Sequence, residues 1–140
     1  HIGDNFLDLY KKSILMNRYI YKDIGINAIS SYKRASNITD RIEKGITGRP
    51  DAVLFRKDEE KALFEKINEI RKAFTVKEDK KNYKNLLIQL ADTKPFTDSF
   101  FDNVKVNDEN NDIKNNRLEL LKMHCNTFNN FINFSKLEGL

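Results

Sequence analysis

Few side chains that could carry chemistry occur in this sequence of 140 residues, which contains two histidines and one cysteine. His1 is terminal, and His124 directly precedes Cys125. Because neighbouring residues on a helix point about 100° apart, this pair cannot form a chelate or a nucleophile–base dyad without further ligands. We therefore expect a packed histidine and an inert, buried cysteine, and we predict neither a catalytic residue nor a metal site.

Motifs that bind nucleotides are also missing, since the sequence has neither a P-loop nor a GxGxxG fingerprint. The opening His-Ile-Gly is similar to part of a nucleotide signature of class I synthetases, which follows a strand of a Rossmann domain. Here the tripeptide begins a helical segment. We expect no cofactor to bind this part of the protein. No residues in the sequence support its interpretation as a free-standing enzyme.

One face of the second predicted helix carries the most informative polar pattern. At 100° per residue, one side is apolar and the other holds a hydroxyl, an amide and four cations: Ser30, Lys33, Arg34, Asn37, Arg41 and Lys44. None of these six residues is acidic, and donors without competing carboxylates suit contacts with phosphates and base edges. We predict RNA binding by five of them: Lys33, Arg34, Asn37, Arg41 and Lys44. An ordinary solvated helix face is the alternative.

Arg117 projects from within the apolar stripe of the last predicted helix, which also includes Leu121 and Phe128. A charge in such a position has to be paired or to reach the edge of the core. Asp102, at the end of the preceding short helix, is the predicted partner. We expect a structural ion pair between Arg117 and Asp102, and direct contact with RNA is the alternative.

The elements that position these residues are helices, because apolar residues recur at helical spacing almost throughout. The predicted helices span about 4–21, 58–74, 78–91, 95–103 and 112–134, and a further one, capped by Asp23 or Asn27, continues to Lys44. The buried side of the first helix is expected to hold Phe6, Leu9, Tyr10, Ile14 and Ile20. No segment alternates with period two, so we predict an all-α helical bundle of about five to six helices, one domain over residues 1–140.

Charge and composition agree with a globular domain that meets a polyanion. The net charge is +4, and the positive excess lies in the first two-thirds of the chain. Such a field suits nucleic acid, although many proteins without that partner have it too. No apolar run approaches the roughly 18 residues that a membrane span requires. A single cysteine permits no intrachain disulfide, which favours a reducing, cytoplasmic setting.

Four sequence blocks, in order along the chain, carry a family resemblance. They are YKRASNI from Tyr32, AVLF from Ala52 with EEKALFEKI, FFDNVKV from Phe100, and NNRLELL from Asn115. The combination closely resembles the C-terminal part of the glycyl-tRNA synthetase beta subunit family, which reads F-F-D-x-V-M-V and then N-R-L-x-L-L. Lys105 stands where that family usually has Met, and Asn133 where it tends to have Asp.

The resemblance implies the helical DALR domain, which grips the anticodon arm of tRNA in several synthetases. It also implies a beta subunit that pairs with an alpha subunit in a heterotetramer, with ATP and glycine bound by the alpha subunit. The partners would be glycine tRNA and that alpha subunit. The best-matched polar positions carry over as Lys33, Arg34, Asn37 and Arg117. A helical module that docks another protein is the alternative function, and weak salt dependence of binding would distinguish it.

Overall fold

Six α-helices account for most of the described chain, which in this computed structural model comprises residues 2–42, 45–76 and 82–137. Their bounds are Ile2–Tyr19 (α1), Asp23–Thr39 (α2), Asp58–Thr75 (α3), Tyr83–Ala91 (α4), Lys94–Asn103 (α5) and Asn111–Phe131 (α6). Two short 3-10 helices, Ala52–Leu54 and Phe134–Leu137, complete the elements. No strand occurs among the described residues, and the predicted all-α bundle is confirmed.

The core forms where α2 and α6 pack against each other, with α4 and α5 beside α2 and with α3 against α5 and α6. Its largest fully buried side chains come from four of these helices and from the turn after α6: Leu63, Ile67, Ile70, Leu86, Leu87, Leu90, Phe100, Leu120, Leu121, Phe128 and Phe134. Aromatic rings join the layers, since the Phe128 centroid lies 5.9 Å from that of Tyr32 and 5.1 Å from that of Phe134.

The last helix is shorter than its pattern predicts. It ends at Phe131, three residues before the predicted Phe134. The chain then folds back, and the side chain of Asn129 accepts a hydrogen bond from the Phe134 N–H at 2.9 Å. This turn places the Phe134 ring in the core.

Two other predicted helix bounds also differ. The second helix ends at Thr39, whereas the pattern predicted Lys44, and Lys44 itself lies outside the described residues. The helix predicted from residue 78 is observed from Tyr83, where Asn82 caps it by accepting the Asn85 N–H at 3.1 Å, and residues 78–81 lie outside the described residues. An amide cap satisfies a backbone donor that the first helical turn leaves free, so it defines this start.

The first helix buries a different face from the one that was predicted. Phe6, Leu9, Tyr10 and Ile14 are exposed, while Met16 is buried and Leu15 packs on the core. Polar contacts hold the inner face, because the hydroxyl of Tyr83 donates to the carboxylate of Asp8 and Lys12 lies 2.9 Å from that carboxylate. Hydrophobic spacing alone could not reveal this orientation, since both faces of α1 carry apolar residues.

Tertiary contacts of α1 also change the titration of these groups. Desolvation alone would raise the pKa of Asp8, but the hydrogen bond from Tyr83 and the charge of Lys12 lower it below its usual value. The hydrogen bond to Asp8 raises the pKa of Tyr83 to about 12.

Gly25 allows the tight turn between α1 and α2, because a Cβ there would lie 2.0 Å from the Tyr19 carbonyl oxygen.

Arg117 forms a buried ion pair, but with a different partner from the predicted Asp102. Its Nη2 atom lies 3.1 Å from Oε1 of Glu60 in the first turn of α3, and its Nη1 atom donates to the Lys105 carbonyl at 2.7 Å. Asp108 lies 3.4 Å away. The prediction of Asp102 was wrong because that side chain is 71% exposed and faces Arg34 on α2.

Candidate RNA-binding surface

The polar face of α2 points away from the core, as its spacing predicts. Ser30, Arg34, Asn37 and Arg41 are exposed and Lys33 is half-buried. Ala28, Tyr32 and Ala35 on the opposite side are buried against the bundle. Three of the five predicted RNA-binding residues therefore lie on one face of α2, Arg41 is exposed in the turn that follows this helix, and Lys44 is outside the described residues.

A groove beside this face combines rings with hydrogen-bond donors. It has a volume of about 530 Å³, and its lining includes Ile26, Ser30, Lys33, Arg34 and Asn37 together with Tyr21 from the turn before α2. The Tyr21 side chain is 81% exposed. A ring with a free face, next to cations and an amide, is what an unpaired base needs for stacking and edge contacts. We call this cavity the α2 groove.

Helix α5 supplies carboxylates that the sequence pattern of α2 does not contain. Arg34 lies 3.1 Å from Asp98 and 4.0 Å from Asp102, and its guanidinium stacks 4.9 Å from the centroid of the Phe101 ring. The expectation of a face without competing acids is therefore wrong at Arg34. Lys33 and Arg41 have no ion pair with any described residue, so their charges stay available.

The sequence analysis missed two groups at this surface. Tyr21 was assigned to the end of the first helix, and its exposure depends on the turn at Lys22 and Asp23. The spacing Lys94-x-x-x-Asp98 signals a helical ion pair, which forms at 2.7 Å, but the sequence does not show that Arg34 shares the carboxylate.

His124 and Cys125 have separate structural roles, as predicted. His124 is fully buried, with its Nε2 atom 3.1 Å from Oγ of Ser31, and burial lowers its pKa to about 4. The Cys125 thiol lies 3.8 Å from Oγ1 of Thr39, and burial raises its pKa to about 12. At neutral pH the imidazole is uncharged and the thiol is protonated, so neither group is prepared for acid–base or nucleophilic chemistry.

Neither a metal-binding cluster nor a membrane-spanning helix occurs in the described part of the chain. Within residues 2–42, 45–76 and 82–137, no three histidine, cysteine or acidic side chains come together in a way that could hold a metal ion. No helix in the same ranges is long and apolar enough to cross a membrane.

The described residues thus form an all-α bundle whose second helix presents cations and an amide beside an exposed ring. The family model described as "DALR anticodon binding domain" matches residues 28–138. The chain belongs to the DALR anticodon binding domain family.

Curated relatives extend this result to nearly the whole chain. The "Glycine--tRNA ligase beta subunit" of Rickettsia prowazekii is 39% identical over 134 residues, which are 95% of this chain and 20% of the relative. The protein of the same name from Sulfurihydrogenibium sp. is 36% identical over 139 residues, 99% of this chain and 20% of the relative. The resemblance to the DALR domain of the beta subunit is confirmed. The chain spans about a fifth of the length of these relatives.

Proposed function

We propose that this chain binds the anticodon arm of glycine tRNA as part of a glycine–tRNA ligase in the cytosol. The observation that carries the proposal is the α2 groove in a domain of the anticodon-binding family. The groove is lined by the exposed ring of Tyr21, the cations of Lys33 and Arg34, and the amide of Asn37. The anticodon bases of tRNA are unpaired, and proteins recognise such bases by stacking and by hydrogen bonds to their edges.

In this proposal each side chain of the surface has a different part. Lys33 and Arg41 contact phosphates, because their charges are not neutralised by a described carboxylate. Tyr21 stacks on a base, and the amide of Asn37 binds a base edge, since an amide offers both a donor and an acceptor. Arg34 contributes less to affinity, because Asp98 already offsets its charge.

The domain is proposed to contribute binding and positioning, while ATP and glycine bind the alpha subunit of the assembled ligase. The buried states of His124 and Cys125 support this division, since neither group is accessible to a substrate. Purified protein consisting of residues 1–140 should show no ATP–pyrophosphate exchange above a buffer control. Glycine-dependent exchange by this fragment would contradict the division.

The test of RNA binding is a salt titration of tRNA affinity in the full-length protein that contains this chain, assembled with its alpha subunit. Arg41→Ala should weaken binding by roughly 1–2 kcal/mol and reduce the salt slope by about one unit. Asn37→Ala should reduce discrimination between glycine tRNA and other tRNAs, with little change in slope. Arg18→Ala removes the same charge from an exposed position of α1 and is the matched control.

The proposal is rejected if Arg41→Ala and Asn37→Ala bind glycine tRNA like Arg18→Ala at every salt concentration. In that case the polar face of α2 is only solvated. Circular dichroism and thermal melting of each variant establish that the fold is retained before binding is compared.

A second candidate function is docking of another subunit, which the outer face of α1 favours. Phe6 is 71% exposed, and Leu9, Tyr10 and Ile14 are also exposed on this helix. Large contiguous apolar patches on a protein surface mark interaction sites. We propose the alpha subunit as the partner. Phe6→Ser with Ile14→Ser should reduce copurification of the alpha subunit, whereas Lys11→Ser on the same helix should not; equal recovery would reject this docking.

A further inference from the structure

A second groove lies on another part of the surface, between α3, α6 and the loop that precedes the first 3-10 helix. Its volume is about 580 Å³, within the range of about 300–1,000 Å³ that is typical of ligand sites. Six of its lining residues are arginines or asparagines: Arg49, Asn68, Arg71, Asn126, Asn129 and Asn130. We call it the amide groove.

The loop that forms one wall is fastened to α6. One carboxylate oxygen of Glu119 accepts hydrogen bonds from the backbone N–H groups of Thr47, Gly48 and Arg49, at 2.9, 2.6 and 3.1 Å. Asn116 adds a reciprocal pair with the backbone of Asp51, at 2.6 and 2.9 Å. The wall is therefore preorganised, which lowers the entropic cost of holding a ligand.

Several polar groups that line the amide groove have no partner among the described residues. The side chains of Asn68, Arg71 and Asn130 form no hydrogen bond or ion pair with any described residue, and neither does the guanidinium of Arg49. Asn129 differs, because its amide binds the Phe134 N–H and the Tyr32 hydroxyl. Two cations and two amides are thus available to a ligand, with the ring of Phe64 and the side chain of Met123 also in the lining.

None of the described residues that line this groove carries a carboxylate, and the carboxylate of Glu119 is engaged by the backbone of the loop wall. A neighbouring cavity of about 540 Å³ shares Asn68, Arg71 and Asn130 and adds Lys72 and Phe74. Together the linings of the two cavities include three cations and two aromatic rings.

We propose that the amide groove binds one unpaired nucleotide of the tRNA, with its base edge on the amides of Asn68 and Asn130 and its phosphate on Arg71. The inference rests on the proposed RNA-binding function and adds a second contact site to it. Amides that offer both donor and acceptor are suited to base edges, and arginine binds phosphate through two parallel hydrogen bonds. Phe64, which lines the groove, supplies apolar surface against which the base lies.

A polar ligand with a planar edge fits this groove better than an apolar helix or peptide does. A docked apolar segment would leave the amides of Asn68 and Asn130 without partners, at a cost for each buried group. A free phosphate would use Arg49 and Arg71 but not the amides. An unpaired nucleotide satisfies both kinds of group at once.

The experiment measures the affinity of the full-length protein, assembled with its alpha subunit, for glycine-tRNA anticodon stem–loops. One set of stem–loops carries a single abasic site at each loop position in turn. The double variant Asn68→Ala with Asn130→Ala should lose about tenfold in affinity for the intact loop, as expected when base contacts of about 1.4 kcal/mol are removed. Asn115→Ala, an exposed asparagine of α6 outside the groove, is the matched control.

The abasic series identifies the contacted nucleotide. At one loop position, removal of the base should weaken binding of the unaltered protein about tenfold and should cause no further loss in the double variant. Arg71→Ala should weaken binding to all loops and reduce the salt slope by about one unit, whereas Lys61→Ala on the same helix should not.

Failure of this inference and failure of RNA binding itself give different results. If the groove variants bind every loop like Asn115→Ala while Arg41→Ala in the turn after α2 weakens binding, the amide groove is not an RNA site and the α2 surface stands. If neither set of variants changes affinity, both proposals are overturned.

Discussion

The Nη1 atom of Arg34 lies 3.1 Å from the Oδ1 atom of Asp98, across the contact between α2 and α5. The other carboxylate oxygen of Asp98 accepts a hydrogen bond from Lys94 at 2.7 Å. The carboxylate of Asp98 thus pairs with two cations at the edge of the candidate RNA-binding surface. An incoming phosphate has to compete with Asp98 for Arg34, so this ion pair weakens any contact between Arg34 and a phosphate.

Removal of the competing carboxylate is expected to strengthen RNA binding. Asp98→Asn should increase the affinity for glycine tRNA about two- to fivefold at low salt, because the ion pair of an exposed arginine is worth less than about 1 kcal/mol. The measurement is fluorescence anisotropy with labelled tRNA. Glu65→Gln on α3 makes the same change of charge away from α2. An equal gain in both variants would indicate a general effect of net charge.

Loss of the buried arginine is expected to destabilise the fold strongly. Arg117→Ala leaves the fully buried carboxylate of Glu60 without its ionic partner, and breaking a buried pair in this way costs about 3–5 kcal/mol. Urea denaturation gives the free energy of unfolding. Asp108→Asn removes the more exposed partner of the same arginine and should cost no more than about 1 kcal/mol. Equal stability of both variants and the unaltered protein would contradict a structural role.

The loop beside the amide groove is expected to tolerate a methyl group poorly at Gly48. Both Gly45 and Gly48 have a φ of 91°. An alanine in this backbone conformation lowers the free energy of unfolding by about 1–2 kcal/mol. A Cβ at Gly48 would also lie 2.7 Å from Nδ2 of Asn126, whereas the space around Gly45 is open. Gly48→Ala should therefore lower the free energy of unfolding more than Gly45→Ala. Identical losses would show that Asn126 moves away without cost.

Mild acid is expected to destabilise the protein through His124. The pKa of this imidazole is about 4 in the fold, against 6.5 for an unperturbed histidine. Between these values the unfolded chain binds a proton that the folded chain does not. The free energy of unfolding therefore decreases as the pH falls from about 6.5 to about 4, by at most about 1.4 kcal/mol per pH unit.

Urea denaturation at pH 7, 6 and 5 measures this slope, in a range where most carboxylates stay ionised. The variant His124→Gln lacks the titrating group and keeps an amide that can bond the backbone oxygen of Ser31. Its stability should depend less on pH over this interval. The same slope in the variant and in the unaltered protein would assign the acid sensitivity to other groups.

Several elements of the fold could be predicted because their causes are local. The helix predicted over residues 58–74 is observed at Asp58–Thr75, with Leu63, Ile67 and Ile70 buried. The short helix predicted over residues 95–103 is observed at Lys94–Asn103, with Pro95 in its first turn. The buried side of α1 was predicted wrongly, because a helix at the edge of a bundle can present either face when both carry apolar residues.

The sequence by itself determined the helices, the cationic outer face of α2 and the burial of Arg117. These follow from the period of 3.6 residues per turn and from the high cost of exposing apolar surface, which depend only on neighbouring residues. Tertiary structure decided which polar side chains meet. It places Asp98 beside Arg34 and Glu60 beside Arg117, and it brings Asn68 and Asn130 into one groove. Ion pairs and grooves act over a few ångströms between residues that are distant in sequence, so only the packing of the helices brings them together.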